Sequence, residues 1–256
     1  MLVYIYAASR ALEESWSEIC PRDVQRTDEI QKAEAIFVMG GDGTMLRAVR
    51  SLSVYAKPFY GIHRGRRGFF MNPLSRNSWH EMRPKIHQWK LPVLAAQAQD
   101  HQGIKHNLTA MNEILLRRQG GQTACIAVKV ETDISTFVEG DGLLLSTAMG
   151  SFAYNLSSGG PLLWPGLSVF VMTSICAYGW HRSPSFVIPD TKTIVWEVQS
   201  FQDRSVFLEA DGLSVPNIER VTITCTQTIT LWHQSSVEEH IAQKVQGLQG
   251  LPTASK

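Results

Sequence analysis

The sequence predicts an α/β plus β fold: an N-terminal α/β domain over residues 1–91, a β-rich, sandwich-like domain over 92–233, and a C-terminal helix and tail over 234–256. Three observations carry this. Short apolar runs alternate with helix-spaced segments up to about Trp89, the pattern of a Rossmann-like parallel sheet flanked by helices. Short β-branched stretches separated by turn residues then run to His233, as in a mostly antiparallel β domain. Ser236 precedes Val237, Ile241 and Val245, a helix N-cap followed by one apolar helical face.

In order, "LVYIYAA" predicts a strand, "ALEESWSEIC" a helix, "AIFVMG" a strand, "GTMLRAVRSL" a helix and "PFYGIH" a strand. "NSWHEMRPKIHQW" predicts a further helix that Pro84 kinks or ends. The boundary falls at "KLP", near residues 90–92. Beyond it, "IKHNLTAMNEILLRR", "TACIAVKVET", "STFVEGDGLLLST", "KTIVWEVQS", "SVFLEADG" and "VTITCTQTITLWH" supply the β domain.

A length of 256 residues permits one large domain or two smaller ones. An apolar fraction of 44% and a net charge of +1 exclude a disordered chain and a strongly basic one, so no nucleic-acid partner is expected. The N-terminus lacks a basic lead, and the longest apolar stretch, around "LSVFVMTSICAYGW", falls short of a membrane span. The expectation is a cytoplasmic protein with no membrane partner. Cys20, Cys125, Cys176 and Cys225 are scattered without a C-x-x-C pair and are expected as reduced, mostly buried thiols.

The chemistry concentrates in a few stretches. "VMGGDGTMLR" places Gly40, Gly41 and Gly43 around Asp42, between a predicted strand and a predicted helix. Glycines there permit unusual backbone angles or close approach of a ligand, and with the positive end of a helix beginning near Thr44 they make a phosphate cradle. An aspartate in such a cradle repels phosphate unless it meets Mg²⁺ or a substrate hydroxyl; the plainer reading makes Asp42 a helix N-cap. Neither a Walker A motif nor a G-x-G-x-x-G run is present. A second glycine cluster, "GIHRGRRGFF", carries Arg64, Arg66 and Arg67, which could neutralise polyphosphate or form a solvated turn. "AMNEILLRR" interrupts a strand with Asn112 and Glu113, whose side chains would point to opposite faces. "EGDGLLLSTAMGSFAYNLSSGGPLLWPG" is dense in hydroxyls and glycines, as in a binding loop leading into a short helix near Ser151.

With these stretches in view, the chain resembles the NAD kinase family, which phosphorylates the adenosine-ribose 2′-hydroxyl of NAD with ATP or inorganic polyphosphate. The resemblance rests on Gly40-Gly41-Asp42-Gly43-Thr44, Asn112-Glu113, Asp141-Gly142, Ser146-Thr147, Gly150-Ser151, Ala153-Tyr154, Gly159-Gly160-Pro161 and Ala210-Asp211-Gly212, in order over roughly residues 35–215. It implies that Asp42 acts on the acceptor hydroxyl, and that Gly40, Gly41, Gly43 and Thr44, with Arg47 and Arg64, hold the donor phosphates. Asn112, Glu113, Asp141, Met149, Phe152, Ala153, Tyr154 and Ser157 would hold NAD. It further implies Mg²⁺ or another divalent metal held mainly by phosphates with Asp42 as a candidate ligand, ATP as co-substrate, and a homodimer or homotetramer. The family's S-T-P-T-G-S-T-A-Y stands here as "STAMGSFAY", so Ala148, Met149 and Phe152 replace a proline and two hydroxyl residues; Met149 and Phe152 are candidates to pack on the adenine. The family's N-T-G-H-L-G-F stands as "HRGRRGF". Both departures bear on NAD against NADH. The alternatives are a non-catalytic NAD-binding sensor and a lipid kinase of the diacylglycerol or sphingosine type.

Overall fold

The computed structural model describes residues 1–63, 68–75, 77–131, 134–178 and 185–248. The chain forms two compact units, Met1–Leu91 with Ile229–Lys256, and Pro92–Thr228.

In the first unit, strand Leu2–Ala7 pairs in parallel with Gln25–Thr27 and with Ala35–Gly40, which pairs in parallel with Phe59–His63. Every residue of Ala35–Gly40 is buried, as expected of a strand covered on both faces. Phe37, Tyr60 and Trp79 pack at centroid distances of 4.9 Å (Phe37 to Tyr60) and 5.3 Å (Tyr60 to Trp79) over a core of Val3, Ile5 and Met39. Helix Asp42–Leu52 follows the central strand directly and buries Met45, Ala48 and Val49. "ALEESWSEIC" forms two short helices, Arg10–Glu14 and Trp16–Ile19, in place of the single helix expected. The break falls at Ser15, whose hydroxyl donates to the Leu12 carbonyl at 2.9 Å and so competes with helix bonding. Helix Trp79–Met82 ends where Pro84 enters a 3₁₀ turn, Arg83–Lys85, and a strand begins at His87.

The boundary expected near residues 90–92 falls inside strand His87–Asp100, with Leu91 in the first unit and Pro92 in the second. Residues 229–233, expected in the β-rich domain, belong to the first unit because the end of strand Ile218–His233 pairs with its sheet, Leu231 opposite Phe59 and Trp232 opposite Tyr60. Helix Val237–Leu248 begins with a reciprocal cap: the Glu239 N–H donates to Ser236 Oγ at 3.1 Å and the Ser236 N–H donates to Glu239 Oε2 at 3.2 Å.

The second unit is a sandwich. One sheet runs, in order, Phe186–Pro189, Val169–Ile175, Gly142–Thr147, Glu113–Arg118, Val206–Ala210 and Leu213–Pro216, with antiparallel pairing throughout. The facing layer includes Ala124–Val130, Ile134–Gly140 and Ile194–Val198. Ile114, Leu116, Leu143 and Leu145 from the first sheet share one buried cluster with Ile126, Val128 and Trp196 from the other. Alternate residues point to opposite faces, which is why every second residue of Ala124–Val130 is buried. The described cysteines are free, but only Cys20 is buried; Cys176 is exposed at a turn with φ 46°, just past strand Val169–Ile175.

Candidate active site

The glycine loop of the first unit lies between strand Ala35–Gly40 and helix Asp42–Leu52. At Gly40 a Cβ would sit 2.5 Å from the Thr44 hydroxyl oxygen, so the turn excludes any side chain. At Gly41 a Cβ would meet nothing within 4 Å. Internal packing therefore does not demand glycine there, whereas a ligand approaching the bare backbone would. Gly41 is the helix N-cap and provides no side-chain cap. Thr44 is buried, and its hydroxyl accepts from Arg47 Nη2 at 3.3 Å, which brings the Arg47 guanidinium to the first turn. Gly40, Gly41, Gly43, Thr44 and Arg47 thus gather at one helix N-terminus, a favourable place for anionic oxygen. Arg64 lies outside the described residues.

Asp42 does not cap the helix. Its Oδ1 accepts from the backbone N–H groups of Phe69 at 2.8 Å and Phe70 at 2.9 Å, and its Oδ2 accepts from the Phe69 N–H at 2.6 Å. The carboxylate is thereby fixed in direction, with lone pairs on Oδ2 left for another donor. A Cβ at Gly68 would lie 2.8 Å from Asp42 Oδ1, so glycine at 68 is what lets the backbone come this close.

In the second unit the chain breaks between strands Lys105–Ala110 and Glu113–Arg118, and Asn112 lies in that break rather than within a continuous strand. Asp211, at φ 44°, holds the turn: Oδ2 accepts from the Met111 N–H at 2.6 Å, and Oδ1 from the Asn112 and Glu113 N–H groups at 3.1 and 3.5 Å. Burial pushes the Glu113 carboxyl up to about 8, the Asp211 charge adds to this, and a hydrogen bond from the Tyr154 backbone opposes it. Glu113 Oε2 is buried with no hydrogen-bond partner among the described residues. A buried orphan of this kind invites a donor from a ligand.

The hydroxyl-rich run is largely scaffold. Ser146, Thr147, Ser151 and Asn155 are fully buried. Thr147 Oγ1 donates to the Met111 carbonyl at 2.7 Å and accepts from the Gly150 N–H at 2.9 Å. Asn155 Nδ2 donates to the Pro161 carbonyl at 2.9 Å, and Thr173 Oγ1 donates to Asn155 Oδ1 at 2.7 Å. A Cβ at Gly150 would fall 2.1 Å from the Asn112 carbonyl oxygen, so the second loop is pressed against the Asn112-Glu113 turn. Phe152, Ala153 and Tyr154 follow at once, with Tyr154 38% exposed and Ser157 exposed in the same short helix, Tyr154–Ser157. Met149 is buried at 4% exposure, so its side chain faces the interior.

Asp141 stands apart from this group. Ser146 pairs with Glu113 at one end of strand Gly142–Thr147, whereas Asp141 precedes the other end and is bound by Arg118 Nε at 2.6 Å. Asp211 and Gly68 carry no local sequence signal for the roles they have here. Ala210-Asp211-Gly212 was visible as a motif, but nothing local tells that its carboxylate reaches a turn about 100 residues earlier.

Residues 9–85 match the family model of the ATP-NAD kinase N-terminal domain, and residues 111–238 that of the ATP-NAD kinase C-terminal domain. The chain is 33% identical over 203 residues to the NAD kinase of Rickettsia felis, covering 78% of each chain. It is 34% identical over 202 residues to that of Hyphomonas neptunium, covering 78% of this chain and 79% of the relative. Its fold is similar to the crystal structure of an NAD kinase from Archaeoglobus fulgidus in complex with ATP, with a TM-score of 0.77 at 21% identity, covering 96% of this chain and 99% of the other. Yeast NADH kinase complexed with NADH gives a TM-score of 0.77 at 16% identity, covering 100% and 89%.

Proposed function

The chain belongs to the NAD kinase family, and from that premise we propose that it transfers a phosphoryl group from ATP, or polyphosphate, to the adenosine-ribose 2′-hydroxyl of NAD to give NADP. The observation that carries the chemical assignment is Asp42: a carboxylate at the start of a glycine-flanked helix, aimed by two backbone N–H groups.

The acceptor oxygen attacks the terminal phosphorus, the bond from phosphorus to the bridging oxygen breaks, and the hydroxyl proton passes to Asp42. Phosphoryl transfer relies on alignment and charge neutralisation more than on a strong base, so a carboxylate held in one orientation suffices. Backbone N–H groups at Gly41 to Gly43, with Thr44 at the helix N-terminus and Arg47, bind the donor phosphates. Asn112, Glu113, Phe152, Ala153, Tyr154 and Ser157 bind NAD, and the orphaned Glu113 Oε2 takes a donor from it. Glu113 is protonated at neutral pH, so it can also donate. Met149, buried, shapes the wall behind them.

No group of three or more His, Cys, Asp or Glu suited to a metal ion occurs among the described residues. Asp42, whose Oδ2 keeps lone pairs beside the helix N-terminus, could ligate a divalent cation held chiefly by the substrate phosphates, and such a cation would neutralise phosphate charge. The chain acts as a homodimer or homotetramer in the cytoplasm. No described helix is long and apolar enough to cross a membrane.

The test is NADP formation from NAD and MgATP, with NADH and polyphosphate in parallel and the product identified chromatographically. Turnover with any pairing sustains the kinase. Calorimetric NAD binding by a folded protein that never turns over would replace it with a sensor.

A further inference from the structure

We propose that His240 and Lys244 of the C-terminal helix are positioning residues for Asp42, acting through the two peptide groups that join Gly68, Phe69 and Phe70. Each of these peptide groups is clamped at both ends. The first donates its Phe69 N–H to Asp42, while its Gly68 carbonyl accepts from Lys244 Nζ at 3.1 Å. The second donates its Phe70 N–H to Asp42 at 2.9 Å, while the Phe69 backbone is hydrogen-bonded by His240. In a trans peptide the carbonyl and the N–H point in opposite directions, so holding one end aims the other. Donation to the carbonyl also polarises the peptide and strengthens its N–H as a donor, most of all when the donor is charged.

The two side chains are placed for this by sequence. They lie four residues apart and therefore share one helical face. The His240 ring meets Phe69 edge-on at 4.9 Å, and Lys244 Nζ stands 5.5 Å from the same ring. The helix is itself fixed by its Ser236 and Glu239 cap, by buried Ile241, and by His233, stacked on Trp89 at 4.2 Å and edge-on to His240 at 4.8 Å. All of these groups belong to the first compact unit. Helix Val237–Leu248 thus governs the direction of a carboxylate about 200 residues earlier, without touching substrate.

This inference rests on the reading of Asp42 as the group that acts on the acceptor hydroxyl, and the experiment separates the two. On the full-length chain, Lys244→Met, Lys244→Arg and His240→Phe would be compared with wild type and Asp42→Asn for kcat and KM with NAD and MgATP. Amide hydrogen exchange at Phe69 and Phe70 would be followed by NMR on the same proteins. Lys244→Met is expected to lower kcat by about 10- to 100-fold with KM for NAD within about twofold, the scale of a misaligned reacting group. Exchange at Phe69 and Phe70 should accelerate, Lys244→Arg should restore most of both, and His240→Phe should repeat the effect with the ring packing kept. Wild-type kcat in Lys244→Met, or unchanged exchange at both amides, would overturn the inference while an inactive Asp42→Asn left the kinase standing. An inactive wild type would strike the kinase reading itself, and the exchange measurement would still decide whether the helix holds the segment.

Discussion

Asp211→Asn is nearly isosteric and keeps the backbone, since asparagine tolerates φ 44° as readily as aspartate. What changes is the donor and acceptor count. Asp211 uses both oxygens, Oδ2 for Met111 and Oδ1 for Asn112 and Glu113. An amide in either orientation turns an NH₂ group toward at least one of these N–H groups. One charge-assisted bond is lost and a donor is left facing a donor, which costs about 2–3 kcal/mol. For a protein of this size that lowers the melting temperature by roughly 4–12 °C. A second effect has the opposite electrostatic sign. The Asp211 charge is the second contribution, after burial, to the raised Glu113 pKa, so neutralising it should bring the Glu113 titration down from about 8 while leaving it above the ordinary carboxylate range. Thermal unfolding reads the first effect and carboxyl ¹³C NMR titration the second. An unchanged melting temperature together with an unchanged Glu113 titration would refute the role given to Asp211.

Gly150→Ala would drive a Cβ against the Asn112 carbonyl, which as backbone cannot swing aside; a loss of about 1–3 kcal/mol or more is expected by urea titration, and wild-type stability would contradict the packing. His233 and His240 are held down at about 4, chiefly by burial, with His240 further lowered by His233 and Lys244, and His233 by His87 and Lys244. Their native pKa values lie below the ordinary 6.5, so the stability they contribute is complete above pH 6.5 and is lost as pH falls toward about 4, where the unfolded chain binds protons that the native one does not. Melting temperatures measured between pH 7 and 4.5 should therefore fall less steeply in His240→Phe than in wild type; identical slopes would contradict the assignment. Glu113, raised to about 8, has the reverse sense, its contribution declining as pH rises from 4.5 through 8. In Glu113→Gln the melting temperature should lose that alkaline decline, and a decline as steep as in wild type would place its cause elsewhere.

The first unit's framework was legible because strand runs such as "AIFVMG" and "PFYGIH" are bounded by glycine, proline or charge, and because one apolar stripe marks the helix after Asp42. The Ser236 cap was legible for the same local reason. Strand Val169–Ile175 escaped because a continuous apolar run in the interior of a sandwich lacks the alternation that marks a half-buried strand. The short strands Phe186–Pro189 and Leu213–Pro216 escaped because they exist through pairing with their neighbours. At the site, the glycines and Asp42 announced themselves, but the run from Ser146 to Asn155 carries its hydroxyls inward, and composition alone does not separate a buried polar lattice from a ligand-facing loop. The partners of Asp42 and of the Met111–Glu113 turn come from distant sequence and could be found only in three dimensions.

Asp42 is the centre of the account, and Asp42→Asn tests it: the retained Oδ1 can still accept from Phe69 and Phe70, while the NH₂ in place of Oδ2 faces the Phe69 N–H that Oδ2 accepted at 2.6 Å, so thermal unfolding of the variant is measured alongside. The measurement is the rate of NADP formation from NAD and MgATP by wild type and Asp42→Asn, with NAD affinity determined calorimetrically on the same preparations. The account predicts a loss of about 10²- to 10⁴-fold in kcat with NAD binding retained, as for removal of a general base. A variant that phosphorylates NAD at the wild-type rate would contradict it.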